Sequence, residues 1–165
     1  MKGVGMALVT TALILAGFFA AELRRRQSKI RHGFLSLLEE MYFQIEHFST
    51  EQERLFAQLS IKELERNFLP LLREELAKDP VLAWKRALDR FDKKGLFSPR
   101  EEEGLLSLGE HFGLLSKKRQ LEELDVAIDL MKGCVAKDEK SLQTDLRLYR
   151  MLGFTAGLGF LILEM

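Results

Sequence analysis

The chain has 165 residues, 47% apolar and 30% charged, which gives room for one domain with short appendages and excludes a disordered tail. Lys and Arg total 25, as do Asp and Glu, so no basic excess argues for nucleic acid. A single cysteine, Cys134, excludes a disulfide framework or a Cys-rich zinc module, and only three prolines among abundant Leu, Glu, Lys and Arg predict helix rather than a β-sandwich.

The first predicted element is the uncharged run from Gly3 to Ala21. As a helix it would extend about 28 Å, close to the ~30 Å hydrocarbon core of a bilayer. A cleaved signal peptide competes with this reading but fits poorly, because Phe18 and Phe19 stand where a small residue is needed for cuts after Ala20 or Ala21. Arg24, Arg25 and Arg26 follow as a stop-transfer cluster that favours the cytoplasmic side. The helix then continues with one apolar stripe, Phe34, Leu38, Met41, Ile45 and Phe48.

Short helices follow. Thr50 with Glu53, and Ser60 with Glu63, have the spacing of capping boxes, the second preceding Leu64, Phe68, Leu71 and Leu72. Pro70 is predicted to kink or break that second stretch. Asp79-Pro80 opens a helix carrying Val81, Trp84, Leu88 and Phe91, closed by Lys93-Lys94-Gly95. Ser98-Pro99 with Glu101 opens the next, whose stripe is Leu105, Leu108, Phe112 and Leu115.

From Ser116 no proline interrupts the pattern. Leu121, Leu124, Ile128, Met131 and Val135 form a packing seam, and Leu142, Leu146 and Tyr149 continue it, with Gly133 as a candidate kink. The end of this helix, Met151 to Leu163, is uncharged. At about 20 Å it is short for a membrane span, but Tyr149 at the interface and a snorkelling Arg150 lengthen it. Gly153 and Gly157 would permit close approach to another helix in lipid. Docking of this segment on the chain's own core is the competing reading. Arg24, Arg25 and Arg26 at one flank and Arg147 and Arg150 at the other agree on topology, with residues 22–150 cytoplasmic and both termini on the opposite side. The predicted architecture is therefore all-α: a helical cytoplasmic domain, 22–150, between transmembrane helices at 3–21 and 151–163.

Catalytic chemistry is sparse. His32, His47 and His111 lack metal-pair spacing, Cys134 reads as a small buried hydrophobe, and Glu101, Glu102 and Glu103 suit a helix's first turn. Glu122, Glu123, Asp125 and Asp129 form an acidic face that is either solvated or partner-binding. Gly109 and Gly113 suit close helix packing and match no phosphate loop. The juxtamembrane basic residues suit contact with anionic lipid. No cofactor, metal or nucleic acid is expected, and the chain reads as a non-enzyme. A hydrolase using Glu110 and His111 as acid and base is the remote enzymatic alternative.

Several short motifs resemble the stage III sporulation protein AB family. They are Leu105, Leu106, Gly109 and Gly113, then Ser116, Arg119, Gln120 and Leu121, then Tyr149, Leu152, Gly153, Phe154, Gly157 and Leu158, and the Trp84, Ala87, Leu88 element. The sequence departs from the family pattern at Lys117, where an acidic residue is usual. The resemblance implies a non-enzymatic protein of the channel or secretion-like complex between mother cell and forespore. It also implies a cytoplasmic domain similar to the F platform component of type II secretion and type IV pilus systems. Residues 33–132 would then face the operon's cytoplasmic ATPase, stage III sporulation protein AA, with this chain in the mother-cell membrane around the forespore. Membrane lipid and other stage III proteins are the implied partners, with self-association left open. A membrane-anchored helical binding or signalling module unrelated to sporulation is the alternative.

Overall fold

Ser98, Pro99 and Glu101 show how local chemistry starts a helix in this chain. The Ser98 amide donates to a Glu101 carboxylate oxygen at 2.7 Å, and the Glu101 amide donates back to Ser98 Oγ at 3.4 Å. Pro99, which has no amide hydrogen to lose, takes the first helical position. The computed structural model describes residues 2–48, 52–92, 96–111 and 115–163, apart from the side chains of 2–8, 10, 13, 52, 53, 57, 110, 111 and 156–163. The described residues form helices and no strand: α1 (Lys2–Phe48), α2 (Gln52–Gln58), α3 (Phe68–Leu76), α4 (Ala83–Phe91), α5 (Pro99–His111) and α6 (Lys117–Leu163). The all-α prediction holds, including the single long helix at each end. Gly133 does not interrupt α6.

Three local predictions need correction. Ser60 and Glu63 do not start a helix: residues 62–67 are turns, and α3 begins at Phe68. This late start places Pro70 in the first turn of α3, where its missing amide costs no helical hydrogen bond, so it neither kinks nor breaks the helix. Asp79 does act as a cap, its Oδ1 accepting from the amides of Val81 and Leu82 at 3.1 and 3.4 Å, but in a turn that precedes α4. The Thr50–Glu53 signal and the Lys93-Lys94-Gly95 stop lie outside the described residues.

The chain divides into two compact units, residues 29–135 and residues 1–28 with 136–165. In the first, the predicted stripes become the core. Phe34, Leu38, Met41 and Ile45 of α1 and Leu124, Ile128, Met131 and Val135 of α6 are buried, together with Phe68, Leu72, Trp84, Leu88, Leu105 and Leu108. Phe48, at the end of its stripe, is instead exposed beside Phe43, and Val81, assigned to the Trp84 stripe, is exposed ahead of α4. The Phe34 ring lies 4.7 Å from Phe68, 4.9 Å from Phe97 and 5.6 Å from Phe91. Fully burying each such side chain contributes about 1.5–3 kcal/mol. Lys117 bonds the ends of two helices together: its Nζ donates to the Glu46 carbonyl, in the last turn of α1, at 2.8 Å. A cation suits the negative end of that helix.

The second unit pairs the first part of α1 with the last part of α6. Ala21, Ser28 and Gly153 are buried in it. A Cβ placed on Gly17 would lie 2.6 Å from the Tyr149 carbonyl oxygen and 2.9 Å from the Gly153 Cα, so the two backbones touch there. Gly17, Ala21, Arg24 and Ser28, spaced four, three and four apart, share this face of α1. Among the described residues no helix is long and apolar enough to cross a membrane. The side chains of 3–8, 10 and 13 in the first apolar run, and of 156–163 in the second, are not among them.

Candidate functional site

In the unit formed by residues 29–135, helices α5 and α6 leave an open groove of about 460 Å³ between them. Its lining is mainly apolar: Leu108 and Ala127 are buried, Leu115 and Leu130 half-buried, and Val126 faces solvent. Gly104 sets its floor, because a Cβ there would stand 2.7 Å from Leu130 Cδ2, so α6 leans against bare backbone. Glu122, Glu123 and Arg119 are its charged lining residues. Two residues of the predicted acidic face, Glu122 and Glu123, therefore border an apolar surface, with Asp125 and Asp129 exposed on the same helix. Lys118 lies 3.9 Å from Glu122 in an exposed pair.

Helix α5 is tied to α4. Trp84 is fully buried, and its Nε1–H donates to the Leu105 carbonyl of α5 at 2.7 Å. Gly109 permits this bond, since a Cβ on it would meet Trp84 Cδ1 at 2.4 Å. The predicted close-packing role of Gly109 is thus located, while Gly113 lies outside the described residues.

At the start of α5 sits a partly buried ion pair that sequence reasoning missed. Arg31 Nε donates to Glu101 Oε1 at 3.0 Å and its NH2 group to the Leu96 carbonyl at 2.9 Å. Glu101 is only 2% exposed, so the residue read as a dipole partner also serves as a counter-ion and cap. Its carboxylate is spoken for by structure. Burial, and then the nearby Glu101 charge, push the Cys134 thiol above its ordinary pKa, which disfavours the nucleophilic thiolate. His32 is half-buried, and exposed His47 stacks on Phe43 at 4.4 Å. The side chains of Glu110 and His111 lie outside the described residues.

In the other unit, the basic residues assigned to topology have different environments. Arg24 Nε donates to Asp145 at 3.1 Å, and its NH2 group donates to Asp138 at 2.9 Å and to Ser141 Oγ at 3.4 Å. Burial alone would lower its pKa, but hydrogen bonds to Asp138 and Asp145 and their charges outweigh that and raise it. Arg25 and Arg147 are exposed, and Arg26 makes an exposed pair with Glu22 at 3.5 Å. The Arg150 guanidinium lies 5.7 Å from the centre of the Phe18 ring, on the neighbouring helix. Gly153 packs as described against Gly17, and the surroundings of Gly157 lie outside the described residues. Gly17 was overlooked, although it stands four residues before Ala21 in a small-residue pattern.

A family model described as stage III sporulation protein AB matches residues 2–164. No curated protein and no solved structure matches the chain.

Proposed function

This chain belongs to the stage III sporulation protein AB family, which gives it a sporulation-related role, and from that premise we propose that it is a non-enzymatic membrane platform. Its apolar ends anchor it in the mother-cell membrane around the forespore, with the 29–135 unit in the cytoplasm and both termini opposite. There it links a cytoplasmic ATPase, stage III sporulation protein AA, to the membrane complex. Family membership sets aside the alternative of a module unrelated to sporulation.

One observation carries the membrane part of this reading: the helix pair of α1 and α6 is packed inside out. Gly17, Ala21 and Gly153 line its contact face, while Leu15, Phe18, Phe19, Met151, Leu152 and Phe154 are exposed around it. Water penalises such an exterior, whereas lipid accepts it, and small residues at the contact let backbones approach where no hydrophobic effect drives helices together. The platform role adds a surface that can bind, the α5–α6 groove, and a Glu101 carboxylate already held by a helix cap and by Arg31.

Two measurements test the proposal. The full chain should remain in the membrane pellet after alkaline carbonate extraction, and deletion of its gene should let engulfment finish but stall the forespore. Release into the supernatant would overturn the anchors. Normal spores in the deletion strain would overturn the platform role.

A further inference from the structure

We propose that the α5–α6 groove receives an amphipathic segment of another protein, one that carries a Leu- or Phe-sized apolar anchor and an excess of Lys and Arg. This deepens the platform reading and rests on it, because it supplies the chemistry of a partner.

The anchor follows from the lining. Val126 is 71% exposed, more than any other large apolar side chain among the described residues. It lies off the buried seam of Leu124, Ile128 and Met131, so core packing does not require it. A β-branched residue on an exposed helix face loses side-chain freedom and gains no burial. With Leu108, Leu115, Ala127 and Leu130 it makes an apolar trough of about 460 Å³, about three times the ~150 Å³ that holds a benzene ring, so it has room for more than one large side chain.

The charge follows from the rim. Of the charged residues that line the groove, Glu122 and Glu123 stand against Arg119, so the lining carries one net negative charge. A net negative rim repels lipid phosphates and nucleic acid and attracts a cationic segment.

The test uses the full chain in native membranes, with Val126 replaced by the photoreactive residue p-benzoyl-phenylalanine. After irradiation the adduct is mapped by peptide sequencing. The expected adduct lies in a different protein, in a segment of helical periodicity where Lys and Arg outnumber Asp and Glu. Its yield should fall about tenfold with Glu122→Lys plus Glu123→Lys, and several-fold at high salt. The same probe at exposed Asp89, on α4, is the background, and Trp84 fluorescence verifies that each variant is folded. An adduct no stronger than at Asp89 would overturn the proposal. So would mapping to lipid, to a second copy of this chain or to a neutral or acidic segment, or a yield indifferent to the two lysines. The spore phenotype and carbonate extraction do not depend on this groove's occupant, so the platform reading and this inference can fail separately.

Discussion

Replacing Gly109 by Ala should destabilise the 29–135 unit by about 1–3 kcal/mol, although alanine is the better helix former by about 1 kcal/mol. The added Cβ would stand 2.4 Å from Trp84 Cδ1 and 3.1 Å from its Cγ, where carbon atoms normally rest about 3.5–4.0 Å apart. The indole has little room to retreat, because it is fully buried with the Phe56 and Phe68 rings centred 5.9 and 5.4 Å away. A shift of about 1 Å would also stretch the 2.7 Å bond to the Leu105 carbonyl. Overpacking costs about 1–3 kcal/mol and the bond about 1, against the gain in propensity. Trp84 is the sole tryptophan, so its emission during urea unfolding of the full chain in mild detergent reads the site directly. Equal or greater stability in Gly109→Ala would refute the reasoning. A control on cause is Trp84→Phe, followed by circular dichroism. In that background the smaller ring should relieve most of the penalty, and a penalty that persists would put its origin elsewhere.

Gly17→Leu should force α1 and α6 apart, since its Cβ meets backbone atoms at 2.6 and 2.9 Å; spin labels at exposed Leu15 and Leu152 should report a longer separation, and an unchanged one would refute the contact. Gly133→Ala should do the opposite of Gly109→Ala and stabilise by about 0.5–1 kcal/mol, because nothing lies within 4 Å of its Cβ position; a higher urea midpoint checks this. Hydrogen bonds from Arg90 and Lys78 hold the Glu74 carboxyl at about 2, and those of Lys78 and Arg90 lower that of Glu75. Their stabilising effect is present above the ordinary carboxylate range and is lost as pH falls from there toward about 2. The urea midpoint should therefore drop with acid over that window, and drop less in Glu74→Gln plus Glu75→Gln.

The helices were legible because their signals are local. The Ser98–Glu101 reciprocal cap and the buried seam through Leu124, Ile128 and Met131 each follow from spacing along one segment. The Ser60–Glu63 signal has the same spacing and yields turns, because a cap motif alone does not determine whether the next residues pack as helix. What escaped was long-range. Arg31 with Glu101, and Arg24 with Asp138 and Asp145, join residues far apart in sequence, and no periodicity marks one arginine among several as the paired one. The groove escaped for a related reason: its floor depends on Gly104 meeting Leu130 across two helices. The acidic residues on its wall were visible as a face, but the apolar surface they border was not.

Arg24 shows why charge counting and packing must be separated. Counted along the chain, Arg24, Arg25 and Arg26 weigh equally in orienting the first apolar run. In the folded helix pair they differ. Arg24 is held between Asp138 and Asp145 and is only about one-fifth exposed, whereas Arg25 and Arg26 face outward. Removing it would leave two aspartates together without their cation, at a cost of about 1–3 kcal/mol to the pairing of α1 with α6. Arg24→Gln should therefore lengthen the distance between labels at Leu15 and Leu152 while residues 29–135 keep the cytoplasmic orientation proposed for them. Arg25→Gln with Arg26→Gln should keep that distance and shift a fraction of chains to the inverted orientation, read by labelling a single exposed cysteine with a membrane-impermeant reagent. If Arg24→Gln inverts the chain and leaves the distance intact, then Arg24 acts during insertion as a free charge, and the clamp with Asp138 and Asp145 contributes little to holding the helices together.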